Sequence, residues 1–220
     1  MTLTTIVSYD GTPNDDDALT LASVLGEVGA RLILAYVRHD ALGPDGDQAL
    51  ELLARGATQL EGAFIDTRVV VNGSTSDGLR ELALAEGAQL IVFGSDYRTP
   101  AGRVAPQMST QKLLQGGPAA IAIAPAGYNE RPIQTIGLLA GLDDAAAIDT
   151  AHAMANHFAA TVNDRNYGVD LLIVGSRPEA PEGQTLLSAH AENAIVGTTA
   201  PVLVVGRGVA VDFQSELYIA

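Results

Sequence analysis

The sequence predicts an α/β fold in which two doubly wound parallel sheets follow one another, each with strand order 3-2-1-4-5, the second lacking strands 2 and 3. Three observations carry this. Short apolar, β-branched runs alternate with stretches whose apolar residues recur at helical spacing, the pattern of a parallel sheet with crossover helices. The stretch Gln89 to Pro125 (QLIVFGSDYRTPAGRVAPQMSTQKLLQGGPAAIAIAP) is partly repeated at Asp170 to Arg207 (DLLIVGSRPEAPEGQTLLSAHAENAIVGTTAPVLVVGR). The halves also align at two constant offsets: 130 for Ile6 with Ile136 and Ala30 with Ala160, then 81 for Gly94 with Gly175. The second half is therefore shorter by the difference, 49 residues, all falling between Val162 and Leu171. In a 3-2-1-4-5 sheet the missing pieces neighbour one another at one edge, so the loss spares the centre.

Taken in order, Thr4 to Tyr9 is β-branched and ends in Asp-Gly, which makes it a first strand with Asp10 at its carboxyl end. From Asn14 to Val28 the residues Ala18, Leu21, Val24, Leu25 and Val28 share one helical face. Asp15, Asp16 and Asp17 fill the first turn of that helix, where the dipole favours anions; successive helical residues diverge too far to share a metal ion. Arg31 to Val37 is a second strand, Asp45 to Gly62 a second helix and Phe64 to Val71 a third strand. Gly73 to Asp77 supplies an N-cap for a third helix ending near Gly87. Leu90 to Phe93 is a buried strand, followed by a Gly/Pro-rich loop, a short helix over Ser109 to Gln115 and a fifth strand, Ala119 to Ala124. The polar break Tyr128 to Pro132 separates a first domain, 1–129, from a second, 130–208, with a C-terminal tail at 209–220.

Composition narrows the function. The chain of 220 residues carries 12 Lys and Arg against 26 Asp and Glu, a net charge of −14 that repels nucleic acid. With no Cys there is neither a disulfide framework nor a thiolate metal site or nucleophile. No apolar run reaches the roughly 18 residues of a membrane span, and the opening MTLTTIVSYDG lacks the basic region of a leader. A cytoplasmic protein without membrane partners is expected. His39, His152, His157 and His190 show no metal-ligand spacing beyond one pair five apart, so no metal is expected. P-loop (G-x-x-x-x-G-K-S/T), G-x-S-x-G and G-x-G-x-x-G signatures are all absent, and an enzyme is not expected.

A strand ending in Asp-Gly, a later IVFGS or LIVGS strand end, a loop of about a dozen residues, a short helix and a Pro-led apolar strand resemble the universal stress proteins in a tandem, two-domain bacterial arrangement. The likeness runs from Thr4 to about Arg207. It implies a stress-response protein with a weak adenine-nucleotide (ATP) site in the first domain and a structural second domain. The family's phosphate loop reads Gly, two residues, Gly, nine residues, Gly, then Ser or Thr. Here it lands on Gly94, Tyr97, Gln107 and Met108, and in the second half on Gly175, Pro178, Ser188 and Ala189, with one match each. By resemblance Asp10 meets the adenosine and Val37 lies beside adenine; Asp10 is replaced in the second half by Ala140. The candidate nucleotide residues are thus Asp10, Val37, Gly94, Ser95, Tyr97, Gln107 and Ser109.

Each has a plainer alternative. Gly94 and Ser95 either cradle phosphate or end a packed strand, and Asp10 either binds ribose or base or caps its own turn. Arg98 and Arg103 in the loop are either anion contacts or solvated side chains, the second being favoured. The rival function is a nucleotide-free scaffold that binds an unidentified protein partner. The resemblance further implies that the two fifth strands meet across a pseudo-twofold axis to form an intramolecular pseudo-dimer; the tail from Val209 to Ala220 would then be an appendage, either mediating a homodimer or fraying, the second being favoured.

Overall fold

The computed structural model describes residues 3–26, 31–40, 45–60 and 65–213. The first half consists of β1 (Thr4–Ser8), α1 (Asp15–Gly26), β2 (Arg31–Arg38), α2 (Asp45–Ala57), β3 (Ile65–Val71), α3 (Thr75–Glu86), β4 (Leu90–Phe93), α4 (Met108–Leu114) and β5 (Ala120–Ile123). The second consists of β6 (Thr135–Leu139), α5 (Ala145–Phe158), β7 (Thr161–Asn163), β8 (Leu171–Val174), α6 (Ala189–Gly197) and β9 (Val202–Val204). Among the described residues the nine strands form one sheet, ordered β3-β2-β1-β4-β5-β9-β8-β6-β7. The order 3-2-1-4-5 expected of the first half is present. The ends of the expected first helix (Val28), second helix (Gly62) and third strand (Phe64) lie outside the described residues.

Every neighbouring pair is parallel except β5 with β9, which run antiparallel with Ile121 opposite Val204, Ala122 opposite Leu203 and Ile123 opposite Val202. A twofold axis perpendicular to the sheet reverses strand direction, so equivalent edge strands that meet across it run antiparallel. The remaining edges are protected in other ways. β3 carries Asp66 and Arg68, tied into a surface network in which Arg31 meets Asp66 at 2.5 Å and Glu86 at 2.9 Å, and Arg68 meets Glu86 at 2.9 Å. β7 is only three residues long.

Alternation along the strands splits the core between the two faces of the sheet. Val7, Leu34, Val92, Ala122, Ile173 and Leu203 face α1, α2 and α5, while Ile6, Ile33, Ile91, Ile121, Leu172 and Val204 face α3, α4 and α6. α3 is capped at both ends: Ser74 accepts from the Asp77 amide, and Gly87, at φ 61°, takes the left-handed turn that stops the helix.

Two expectations need correction. The second half does not lack strand 2: Thr161 to Asn163 pair with Thr135 to Gly137 as β7. Three residues are too few to show a period, so the alignment hid them; strand 3 and the two helices flanking it are what the second half lacks. Nor is the start of the expected tail at 209–220 an appendage. Val211 and Phe213 are buried against the α5 side of the sheet, and the Val211 amide donates to Thr150 Oγ1 at 3.0 Å. Residues 214–220 lie outside the described residues.

The seam is open to test. Val204 is fully buried, so Val204→Lys would place an unpaired ammonium in the apolar layer between the sheet and the α3, α4 and α6 side and should cost about 3–5 kcal/mol. Urea unfolding of the variant measures this, and an unchanged midpoint would mean that the seam does not form in solution.

Candidate functional site

The carboxyl ends of β1 and β4 open into a cleft of about 480 Å³. Its walls come from the β1–α1 turn (Asp10, Thr12), the cap of α3 (Gly73 to Ser76), the β4–α4 loop (Asp96, Tyr97, Gln107) and the start of α4 (Met108, Ser109, Lys112). This is the position where open α/β sheets bind ligands, because the strand order reverses there and adjacent loops part.

Four of the seven candidate residues converge on the cleft: Asp10, Tyr97, Gln107 and Ser109. Three do not line it. Val37 is buried among Ile33, Leu79 and Phe93, with its Cγ1 against Gly78. Gly94 has no room for a side chain, since a Cβ there would strike the backbone carbonyl of Asn14; its smallness lets the end of β4 touch the start of α1. Ser95 is fully buried, donating from Oγ to the Ala124 carbonyl at 2.7 Å and accepting the Ala105 amide at 3.2 Å.

The second half repeats these contacts at the offset of 81. Ser176 Oγ donates to the Val205 carbonyl at 2.7 Å and accepts the Leu186 amide at 3.2 Å. The Asp96 amide bonds the Ala105 carbonyl as Arg177 bonds Leu186, and the Gly102 amide bonds Ala126 as Gly183 bonds Arg207. Gly102 and Gly183 both sit at positive φ, 74° and 76°. Ser95 and its counterpart Ser176 therefore fill the same packing role in both halves, and Gly94 packs the end of β4 against α1.

Sequence reasoning missed Thr12, Ser74, Thr75, Ser76, Asp96 and Lys112. Ser74 was legible only as a cap, a role it does fill. Lys112 lies three residues after Ser109, one turn along the same helical face. Its ammonium makes no hydrogen bond or ion pair with a described residue, and the Thr12 hydroxyl is buried without a partner among the described residues. Tyr97 is more than half exposed, and its ring is held by Arg98, whose guanidinium carbon stands 4.8 Å from the ring centroid while Nε donates to the phenol oxygen at 2.7 Å.

The acidic triplet does more than complement a dipole. Asp15 is 3% exposed and accepts the Asp10 and Thr12 amides at 2.8 and 3.1 Å, clamping the β1–α1 turn. Asp17 accepts the Gly127 amide at 2.8 Å, tying α1 to the connection between the halves. Asp16 accepts from the Tyr9 hydroxyl at 3.3 Å. Burial, followed by the adjoining Asp10 carboxyl, pushes the Asp15 carboxyl up to about 8. Asp10 is exposed and also accepts the Thr12 amide, at 3.1 Å, so its turn-capping role is present in the structure. Among the described residues no three His, Cys, Asp or Glu side chains are grouped to hold a metal ion, and no helix is long and apolar enough to cross a membrane.

No protein-family model and no curated protein matches the chain. Solved structures do. A functionally unknown protein from Pseudomonas aeruginosa PAO1 superposes with a TM-score of 0.67 at 15% identity, over 94% of this chain and 93% of that one. A universal stress protein from Archaeoglobus fulgidus DSM 4304 superposes with a TM-score of 0.59 at 14% identity, over 93% of this chain and 98% of that one. The fold is that of a universal stress protein. At these identities the likeness concerns backbone architecture, and within the universal stress protein fold the cleft's chemistry must be argued from its own side chains.

Two predictions follow from the site. Gly94→Ala should destabilise the chain by about 3 kcal/mol, since the clash is with backbone. Gly175→Ala meets mainly the Asp144 carboxylate, which can rotate away, and should cost less. Chemical denaturation of the pair measures the difference, and equal losses would mean that the Gly94 contact relaxes. The second concerns pH. A carboxyl that is harder to ionise in the folded state gives stability that is fully present below its unfolded pKa, 3.8, and lost as pH rises through about 8. Burial raises Asp17 and Asp144 in the same direction. The melting temperature should fall between pH 5 and 8.5, and Asp15→Asn should flatten that fall. A wild-type profile that is level over this range would place Asp15 as ionised at neutral pH.

Proposed function

We propose that this chain is a stress-response protein of the universal stress protein type, which holds adenine nucleotide weakly in the cleft of its first half and uses its second half as scaffold. The observation that carries the reading is the convergence of Asp10, Tyr97, Gln107 and Ser109 on one cleft together with the ammonium of Lys112, which pairs with no described residue. Lys112 and the hydroxyls of Ser74 and Ser109 form the phosphate end. The Tyr97 ring offers a stacking face for the base, and Asp10 and Asp96 accept from ribose. The nucleotide is held rather than consumed, as a sensor or ligand of the fold.

Weakness follows from what the loop has lost. Gln107 and Met108 stand where the resembled phosphate loop has Gly and a hydroxyl, which removes close backbone approach and one direct hydrogen bond. Each charged hydrogen bond forgone is worth about 1.5–3 kcal/mol, at least about tenfold in affinity, which places the ATP dissociation constant at tens of micromolar or above. A second reading, a nucleotide-free scaffold for a protein partner, draws support from the exposure of Met108 and Tyr97 at the cleft mouth and from the packing roles of Gly94 and Ser95.

Calorimetric titration with ATP separates the two. Weak, one-to-one binding that Lys112→Gln reduces about tenfold, and that Gln107→Gly with Met108→Ser tightens, is the expected result. Absence of heat up to millimolar ATP would leave the scaffold reading, and a submicromolar constant would show that the altered loop compensates fully.

A further inference from the structure

A second cleft, of about 370 Å³, lies where the two halves are joined. Its lining includes Arg103 from the β4–α4 loop, Tyr128 and Arg131 from the connection, Asp170 at the start of β8 and Thr199 before β9. Of the two loop arginines singled out in the sequence, Arg98 is occupied with Tyr97 and Arg103 lines this second cleft. Neither the Arg103 nor the Arg131 guanidinium forms a hydrogen bond or ion pair with a described residue, although acidic residues outnumber basic ones 26 to 12 in this chain. The Tyr128 and Thr199 hydroxyls likewise bond no described residue. The lining's one carboxylate, Asp170, is engaged: its Oδ2 accepts the Gln134 and Thr135 amides at 3.0 and 2.8 Å, fixing the start of β6. The cleft therefore offers several unused donors against one lining carboxylate, with the Glu130 charge also acting on Tyr128, and arginines line it from two separate segments.

We infer that this cleft binds a phosphate group, either as the free ion or as a small phosphate monoester, clamped between Arg103 and Arg131 with the Tyr128 and Thr199 hydroxyls as additional donors. Phosphate suits the site because its oxygens accept two planar guanidinium forks at once. The second half has Gln184 at the position of Arg103 and no equivalent of Arg131 at the offset of 81, so the site is single despite the internal repeat. A ligand there touches both halves and the segment joining them, and its binding stabilises their docking. The site stands independently of the nucleotide cleft.

The test is a titration of the isotopically labelled full chain with inorganic phosphate and, separately, ribose 5-phosphate, at constant ionic strength set with sodium chloride. The amides of Gly102, Gly127 and Ala200 should shift saturably. The combined variant Arg103→Gln and Arg131→Gln should weaken that binding at least tenfold without lowering the melting temperature of the unliganded chain. Lys112→Gln, which alters only the other cleft, should leave it unchanged. Saturation by ribose 5-phosphate alone identifies a monoester as the ligand, and saturation by both identifies the phosphate group itself. Shifts that rise linearly, that sodium chloride reproduces, or that survive loss of both arginines would overturn the assignment.

Discussion

The antiparallel pairing of β5 with β9 is the contact on which the rest of the molecule depends. Each half alone would end in a short apolar strand, AIAI or VLV, with one row of backbone donors and acceptors unpaired and no charge or proline to blunt it. Paired, the strands occupy the middle of a nine-stranded sheet and are fully covered by the helical layers on its two faces. The small residues of β5 matter here: alanines at 120 and 122 let α1 and α5 share one continuous apolar layer, with Ala146, Ala147 and Ala151 of α5 joining the α1 residues in one cluster.

Against that frame, the two β4–α4-type loops show how a structural device can be mistaken for a binding motif. The serine after each strand-end glycine closes its loop onto the end of the fifth strand, in the first half through Ala124 and in the second through Val205. The arrangement persists in the second half, where Ala140 stands in place of Asp10 and Pro178 in place of Tyr97. Retention of Gly-Ser therefore reports the need to hold a loop against a sheet. What distinguishes the two halves chemically is carried by other positions, above all Lys112, whose counterpart at the offset of 81 is Asn193.

Much of the fold was legible in the sequence because its signals are local: β-branched runs for strands, apolar spacing for helices, and the arithmetic of the repeat for the edge that was lost. β7 escaped because three residues carry no period. The site was legible only in part, for a different reason. Asp10 could be placed by the strand that ends before it, but bringing the cap of α3 beside α4 requires the strand order 3-2-1-4, so Ser74 to Ser76 and Lys112 emerge as neighbours only in three dimensions. The burial of Asp15 was invisible for a related reason. Dipole arguments count residues from a helix start and are silent on what packs over them, here the turn whose amides its carboxyl group holds.

The segment joining the halves is short, with only Ala124 to Gln134 between β5 and β6. When two separate molecules build such a seam, its occupancy depends on how much protein is present, and both contributing strands are obliged to have the same sequence. Within one chain the encounter is unimolecular, governed by the reach of the tether and insensitive to dilution. The strands are also released from identity, so that one can be alanine-rich and the other valine-rich. Covalent joining thus lets the halves differ in size and chemistry while the closure of the interface between them no longer depends on protein concentration.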